Sequence, residues 1–175
     1  MLWLIDGYNV IRRDPDLRGH EAQSLQAGRR ALVQVVQQLA RTIPHDEFVV
    51  VFDGARVDSP ATAEGQVVIV FSRPPETADD LVIRLARRGR EGSVVVTSDR
   101  AVQQAADRAR AAVIGAETFL AQAARAAERR REDSADLKQD DDADNSPSMK
   151  RGNPRRLSKK ARATARALKR LRPPS

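Results

Sequence analysis

The 175-residue chain contains no cysteine and few aromatic residues, and each scarcity excludes a class of protein. Without cysteine it has no disulfides and no thiolate metal sites, which fits a reducing compartment. No stretch reaches the roughly 18 uninterrupted apolar residues of a membrane span, and the first residues lack the pattern of a secretion signal. Aromatic residues make up 3% of the chain, which argues against a broad platform for stacking bases. We therefore predict a cytoplasmic protein that does not enter a membrane.

Positive charge is in excess, and it is unevenly placed. The net charge is +7, but residues 1–131 contain 19 Arg, no Lys and 17 acids, close to balance. Residues 132–144 hold seven acids and one Lys, whereas residues 145–175 hold eleven basic residues and no acid. Such a basic segment favours an anionic partner, most often nucleic acid or an acidic membrane face. We predict a domain at 1–131, an acidic disordered linker at 132–154, and a basic tail at 155–175 with a helical pattern that fluctuates on its own.

Short apolar runs alternate with helical patterns along the first 131 residues. The runs are rich in Val and Ile and are apolar throughout, as strands covered on both faces are. Strands separated by helices predict an α/β fold with a mostly parallel central sheet and helices on both faces. The predicted strands are 2–5, 48–52, 66–72, 94–97 and 111–115, and the predicted helices are 21–41, 77–89, 100–110 and 116–131.

Three of the predicted strands are followed by aspartate. Asp6 ends the first in LIDG, Asp53 ends the second in VFDG, and Asp99 follows the fourth in VVTSD. Parallel strands share one carboxyl edge, where ligands of open α/β sheets bind, so we expect these acids to converge. A fourth acid, either Asp79 or Asp80 of ETADD, stands in the first turn of a predicted helix and can face the same crevice.

Simpler interpretations exist for each of these positions. Aspartate after a strand is common in turns and helix caps, and an acid in a first helical turn interacts favourably with the helix dipole. A turn explains Asp53 as well as a ligand does. Asn9 can be a turn residue, and Thr97 or Ser98 can cap the helix that follows.

The chemistry of the cluster favours a divalent cation. Clustered carboxylates repel one another and take up protons unless a cation is near. Mg²⁺ and Mn²⁺ prefer oxygen ligands and retain several waters, which suits acids without Cys or His. Such an ion can activate water and stabilise the leaving oxygen when a phosphodiester is attacked in line.

Four motifs in order resemble the NYN domain, specifically its YacP-like bacterial branch: LIDGYNVI, VVFDGA, ETADDLVIRLA and VVTSDR. NYN domains are PIN-like nucleases. The resemblance, over residues 1–131, implies a PIN-like three-layer sandwich and an endoribonuclease that requires Mg²⁺ or Mn²⁺. The implied catalytic and metal-binding residues are Asp6, Asp79 and Asp99, with Asn9 in the catalytic set, Asp53 as a further ligand, and Ser98 and Asp80 in supporting positions.

Basic residues near the motifs and in the tail are candidates for contacts with RNA phosphates. Arg73 precedes ETAD and Arg100 follows TSD, and solvated surface is the alternative for each. We expect the tail to give salt-sensitive, sequence-independent affinity for messenger or other single-stranded RNA, or for the ribosome. The tail candidates are Arg155, Arg156, Lys159 and Lys160.

Two other function classes compete with the nuclease, and only the first remains open. A non-catalytic adaptor that binds RNA or the ribosome could use the same fold, although a phosphate binder gains nothing from clustered acids. A phosphohydrolase of the haloacid-dehalogenase type needs a second aspartate two residues after the first, where Tyr8 stands. No glycine-rich phosphate loop or dinucleotide fingerprint is found.

Overall fold

In the computed structural model, residues 1–54, 62–136 and 159–171 are described, with 132–136 and 159–160 defined by their backbone alone. Within these ranges, six strands form a sheet in the order β3-β4-β2-β1-β5-β6. The strands are Leu2–Asp6 (β1), Glu47–Phe52 (β2), Thr62–Glu64 (β3), Val67–Phe71 (β4), Ser93–Val96 (β5) and Ala112–Ile114 (β6). The helices are Gly7–Ile11 (α1), Pro15–Gln23 (α2), Leu25–Ala40 (α3), Ala78–Gly89 (α4), Arg100–Arg108 (α5), Ala116–Asp136 (α6) and Lys159–Arg170 (α7).

The strand β1 lies in the middle of the sheet and sets the position of the site. It pairs in parallel with β2 on one side and β5 on the other, so Leu4 lies beside Val49 and Val95. The chain adds β4 beyond β2 and then crosses to the opposite side for β5 and β6. This reversal opens a crevice at the carboxyl end of β1, where such sheets bind ligands. Only β3 runs antiparallel to its neighbour within the described sheet.

Helices cover both faces of the sheet, which confirms the predicted three-layer α/β sandwich. Side chains alternate along a strand, so Trp3 and Ile5 of β1 pack with α1, α3, α6 and α7. Leu4 points the other way, into a second core formed with α4 and α5. No helix in the described ranges is long and apolar enough to cross a membrane.

The predicted helix at 21–41 is confirmed over Leu25–Ala40, but its predicted start was wrong, because the helix breaks at Ser24 and residues before it belong to α2. Ser24 has extended backbone angles, and its side chain accepts a hydrogen bond from the Ala27 backbone N–H to begin α3. A serine hydroxyl competes with the helical hydrogen bonds and favours a cap. Two further elements, α1 and β3, were not predicted. They have five and three residues, too few to show a period.

The C-terminal part differs from the prediction at both boundaries of the linker. Helix α6 continues to Asp136, beyond the predicted end at 131. Helix α7 begins at Lys159 rather than 155 and packs against the domain, with Ala167 and Leu171 buried. Burial of these apolar residues stabilises a helix that was expected to fluctuate on its own. Most of the predicted linker, 137–154, lies outside the described residues.

Asp46 holds α7 in place from inside the protein. Its side chain is fully buried and accepts hydrogen bonds from Arg170 Nε and Nη2 at 3.0 and 2.6 Å, and from Trp3 Nε1 at 2.9 Å. The Met1 ammonium group lies 2.6 Å away. Burial disfavours the charged form, but the bonds from Arg170, Met1 and Trp3 hold the pKa of Asp46 below its ordinary value. The carboxylate thus joins the start of β1 to the end of α7.

Candidate active site

Asp6 is the buried centre of the carboxyl edge. It ends β1, and only 6% of its surface is exposed. Burial raises its pKa from 3.8 to about 6, and the charges of Asp79 and Asp99 act in the same direction. Oδ2 accepts a hydrogen bond from Thr97 Oγ1 at 2.9 Å, and Oδ1 accepts one from the Asn9 backbone N–H at 3.4 Å. These two bonds only partly oppose the rise, so a nearby cation would strongly favour the ionised form.

Gly7 is required by packing at the same turn. A Cβ atom at this position would lie 2.3 Å from the Phe52 ring and 2.9 Å from the Val51 carbonyl oxygen. Glycine therefore lets α1 start immediately after Asp6, directly above the aromatic ring. The residue serves the turn that presents the carboxylate.

Thr97 links Asp6 to the loop after β5. Its side chain is fully buried. Besides donating to Asp6, its Oγ1 accepts a hydrogen bond from the Asp99 backbone N–H at 3.1 Å. One hydroxyl therefore positions two of the acids. Sequence reasoning considered Thr97 only as a helix cap and missed this role, although a hydroxyl directly after the all-valine segment 94–96 is a usable signal.

Asp99 begins α5 and faces the other acids. Its Oδ1 accepts hydrogen bonds from the backbone N–H groups of Ala101 and Val102, at 2.7 and 3.1 Å. The predicted caps, Thr97 and Ser98, do not have this role, since Asp99 is the N-cap. Its negative charge nonetheless raises the pKa values of Asp6 and Asp79. Capping and cluster membership are therefore combined in one side chain.

The structure distinguishes Asp79 from Asp80. Asp80 forms a capping box with Thr77, whose Oγ1 donates to Asp80 Oδ2 at 2.8 Å, and these bonds lower its pKa. The pKa of Asp79 is raised, mainly by desolvation and then by the charges of Asp99, Asp80 and Asp53. Asp79 therefore belongs to the electrostatic cluster, whereas Asp80, named as a supporting residue from the sequence, stabilises the start of α4.

Asp53 lies at the exposed rim of the cluster. It follows β2, and its Oδ1 accepts a hydrogen bond of 2.6 Å from Ser72 Oγ at the end of β4. Ser72 is buried, so this contact fixes the carboxylate between two strand ends. Ser72 was not predicted as a site residue, because the sequence pattern placed it as the last residue of the predicted strand 66–72.

Asn9 and Ser98 connect α1 to the loops after β5 and β6. Asn9 Oδ1 accepts a hydrogen bond from the Ser98 backbone N–H at 2.7 Å. Ser98 Oγ accepts one from Ala116 N–H at 3.1 Å and donates one to Glu117 Oε2 at 2.6 Å. Glu117 also lies 3.5 Å from Arg13 and was missed, because its position at the start of α6 carries no strand-end pattern.

The predicted phosphate-binding residues are only partly visible. Arg73 and Arg100 are exposed, Arg73 just after Ser72 and Arg100 at the start of α5. Arg155 and Arg156 lie outside the described residues, and the side chains of Lys159 and Lys160 are likewise not described. Their roles stay predictions.

The donor set suits a hard cation, but it does not form a closed cage. Its side chains offer carboxylate and hydroxyl oxygens, and the buried acid at its centre has a raised pKa. In the described part of the chain, no three acidic, histidine or cysteine side chains stand close enough to hold an ion together. Mg²⁺ is usually bound through one or two carboxylates and several waters, so this open arrangement fits it in chemistry.

Comparison with known proteins identifies the family. A family model described as "YacP-like NYN domain" matches residues 3–170, which include α7. The chain belongs to this family. The YacP-like NYN domain family is nuclease-like and related to RNA, which agrees with the acids at the carboxyl edge.

Individual relatives are more distant. "Uncharacterized protein YacP" of Bacillus subtilis (strain 168) is 30% identical over 86 residues, which span 48% of this chain and 50% of that protein. The crystal structure of Rae1 (YacP) from Bacillus subtilis has a TM-score of 0.68 and 24% identity, and the match covers 79% of this chain and 82% of that one. The crystal structure of a mutant of Rae1 (YacP) from Bacillus subtilis has a TM-score of 0.67 and 24% identity. That match covers 82% of this chain and 86% of the other. These structures support the fold of this YacP-like NYN domain.

Proposed function

We propose that this chain is an endoribonuclease that requires Mg²⁺ or Mn²⁺ and hydrolyses RNA phosphodiester bonds to leave 5′-phosphate and 3′-hydroxyl ends. The observation that carries the proposal is the electrostatic coupling of buried Asp6 to Asp79 and Asp99 at the carboxyl end of the central strand. The pKa values of Asp6 and Asp79 are both raised at this edge of the sheet, and such shifts cluster at functional sites. Membership of a nuclease-like family supports the same conclusion.

Each residue of the site has a defined part in this proposal. Asp6, Asp79 and Asp99 would hold the ion, one or two of them directly and the others through bound waters, with Asp53 as a further ligand at the rim. When bound, the ion supplies Lewis acidity that activates water and neutralises charge on the leaving oxygen.

The neighbouring polar residues would position these acids. Thr97 keeps Asp6 oriented through the 2.9 Å hydrogen bond. Asn9 fixes the Ser98 backbone, and through it the loop that carries Asp99. Thr97 therefore acts on the protein, and Asn9 remains a member of the proposed catalytic set.

The substrate we propose is single-stranded RNA such as messenger RNA, in the cytoplasm. Helix α7 presents Arg162, Arg166 and Lys169 on its exposed side. No acid occurs in residues 145–175, so this surface can add RNA or ribosome affinity that falls with salt. Deleting 145–175 would also remove the bonds of Arg170, and Arg162 and Arg166 line a pocket with Glu91 and Asp107. Charge reversal at the exposed Lys169 is therefore the cleaner test of this role.

The experiment is cleavage of a pool of single-stranded and structured RNA with Mg²⁺, Mn²⁺ or EDTA. The wild type should cut only with metal, and the products should accept ligation through a 5′-phosphate. A variant with both Asp6→Asn and Asp79→Asn should be inactive while retaining its fold by circular dichroism. Full activity in that double variant would exclude the proposed site. RNA binding without cutting under any condition would favour the non-catalytic adaptor.

A further inference from the structure

A groove of about 900 Å³ opens beside the acidic edge, between α3 and the strands β3 and β4. Phe52 and Phe71 form part of its lining, and each directly precedes a residue of the acidic edge, Asp53 and Ser72. Since Asp53 and Ser72 are hydrogen-bonded to each other, the groove and the acids share two strand ends. A polymer bound at the acids can therefore continue into the groove.

Three aromatic rings surround the guanidinium group of Arg29 at this end of the groove. Its central carbon lies 5.4 Å from the Tyr8 ring centre, 5.6 Å from that of Phe52 and 5.1 Å from that of Phe71. Nε and Nη2 both donate to the Tyr8 hydroxyl, Nε at 2.8 Å. Tyr8 packs edge-on against Phe52, with ring centres 5.2 Å apart. Arg29 is therefore held in one place by cation–π contacts and two hydrogen bonds.

Among the described residues, no carboxylate pairs with Arg29, and its Nη1 end makes no hydrogen bond. Other arginines of the chain do have acidic partners, for example Arg84 with Glu76 at 2.6 Å. A fixed, half-buried guanidinium with no counter-charge in the described part of the chain is suited to bind an anion such as a phosphate.

The groove also offers apolar side chains, among them Ile69 and the ring of Phe71, so its ligand should combine an anionic group with a planar apolar one. Three of the six aromatic residues of the chain meet here, although their total number argued against stacking. Bases of single-stranded RNA stack on aromatic rings and on arginine planes, and the phosphate beside them suits the cation. The volume lies within the roughly 300–1,000 Å³ of ligand pockets.

We infer that this groove binds one nucleotide of single-stranded RNA next to the scissile phosphate, with the base against Phe71 and the Arg29 plane and a phosphate at Arg29 Nη1. The identity of the polymer rests on the proposed function. The groove would then set which nucleotide can stand beside the cleavage position, a preference that the acids alone do not provide.

The first test measures binding without catalysis. Fluorescence anisotropy with a labelled 12-nucleotide single-stranded RNA in EDTA compares wild type, Arg29→Ala and Arg29→Lys. Arg87→Ala is the matched control, because Arg87 is exposed at the far end of α4. We expect about ten-fold weaker binding for Arg29→Ala, with the slope of log affinity against log salt reduced by about one. Arg29→Lys should retain the slope but not the full affinity.

The second test probes the base. Replacing one nucleotide at a time by an abasic residue should weaken wild-type binding about ten-fold at one position. Phe71→Leu keeps an apolar side chain without a ring. In this variant, the abasic residue at the sensitive RNA position should therefore have little effect on binding. Thermal unfolding checks that each variant is folded.

The outcomes separate this inference from the proposed function. If RNA is cut but neither Arg29 nor any abasic position affects binding, the groove is not a nucleotide site, and the nuclease stands. If the groove effects are present but no metal supports cleavage, the nucleotide site stands and the proposed reaction fails. An unchanged salt slope in a folded Arg29→Ala protein would also contradict the phosphate contact.

Discussion

Burial of Asp6 should make the metal-free protein lose stability as the pH rises through about 6. Its pKa in the folded protein is about 6, above the ordinary 3.8, so the folded state holds this proton more tightly than the unfolded chain does. The resulting stabilisation is complete below about pH 3.8 and is lost as the pH rises through 6. A shift of about two units corresponds to about 3 kcal/mol in the free energy of unfolding, since one unit is about 1.4 kcal/mol.

Asp6→Asn removes this dependence, because an amide stays neutral. Relative to wild type, the variant should gain stability between pH 4 and pH 7, by up to about 3 kcal/mol. The amide oxygen can still accept the bond from Thr97 Oγ1. The bond from the Asn9 N–H is the longer one, at 3.4 Å, and is the one at risk. The difference between the two pH profiles is therefore more informative than either absolute value.

The assay is urea unfolding in EDTA at pH 4, 5, 6, 7 and 8, followed by circular dichroism. Asp80→Asn is the control, since capping bonds lower the pKa of Asp80 below 3.8 and that stabilisation is lost only at more acidic pH. Its profile should therefore run parallel to that of the wild type between pH 5 and pH 8. Parallel profiles for wild type and Asp6→Asn would refute the assignment of a raised pKa to Asp6. Divalent metal should restore stability to the wild type at pH 8 and have little effect on Asp6→Asn.

Three further outcomes are expected. Thr97→Val should lower the free energy of urea unfolding by about 1–3 kcal/mol and reduce cleavage activity. Thr97→Ser should be close to the wild type in both measurements, because serine keeps the hydroxyl that holds the acids. Asp79→Asn should abolish metal-dependent cleavage of RNA, whereas Asp80→Asn should remain active and only destabilise the protein; equal loss in both would contradict their assigned roles. Arg170→Ala should lower the free energy of unfolding by about 2 kcal/mol and speed hydrogen exchange in α7, because Asp46 loses two bonds to a charged donor; unchanged exchange would show that α7 docks by apolar contacts alone.

The sequence predicted the sheet and its acidic edge because both depend on local patterns. Fully apolar runs indicate buried parallel strands. Parallel strands end at the same edge of the sheet, independently of the conformation of the loops that connect them. The positions of Asp6, Asp53 and Asp99 after strands therefore followed without coordinates. The assignment of α4 also agreed, since Thr77 and the acids after it form a recognisable cap.

The contacts that depend on distant parts of the chain were not predictable. Thr97 meets Asp6 across 91 positions, and Arg170 meets Asp46 across 124. From the sequence alone, Thr97 is explained as a cap residue and Arg170 as a solvated charge. Their actual contacts become visible only in the tertiary structure. The choice between Asp79 and Asp80 needed the side-chain directions, because both stand in the same helical turn.

Cleavage of one defined, end-labelled single-stranded RNA by wild type and Asp6→Asn, with Mn²⁺ and with EDTA, decides whether Asp6 belongs to a catalytic site. We expect the wild type to cut with Mn²⁺ alone, and a folded Asp6→Asn protein not to cut. Cutting by Asp6→Asn at the wild-type rate, or by the wild type in EDTA, would show that the carboxyl end of β1 is not the catalytic site.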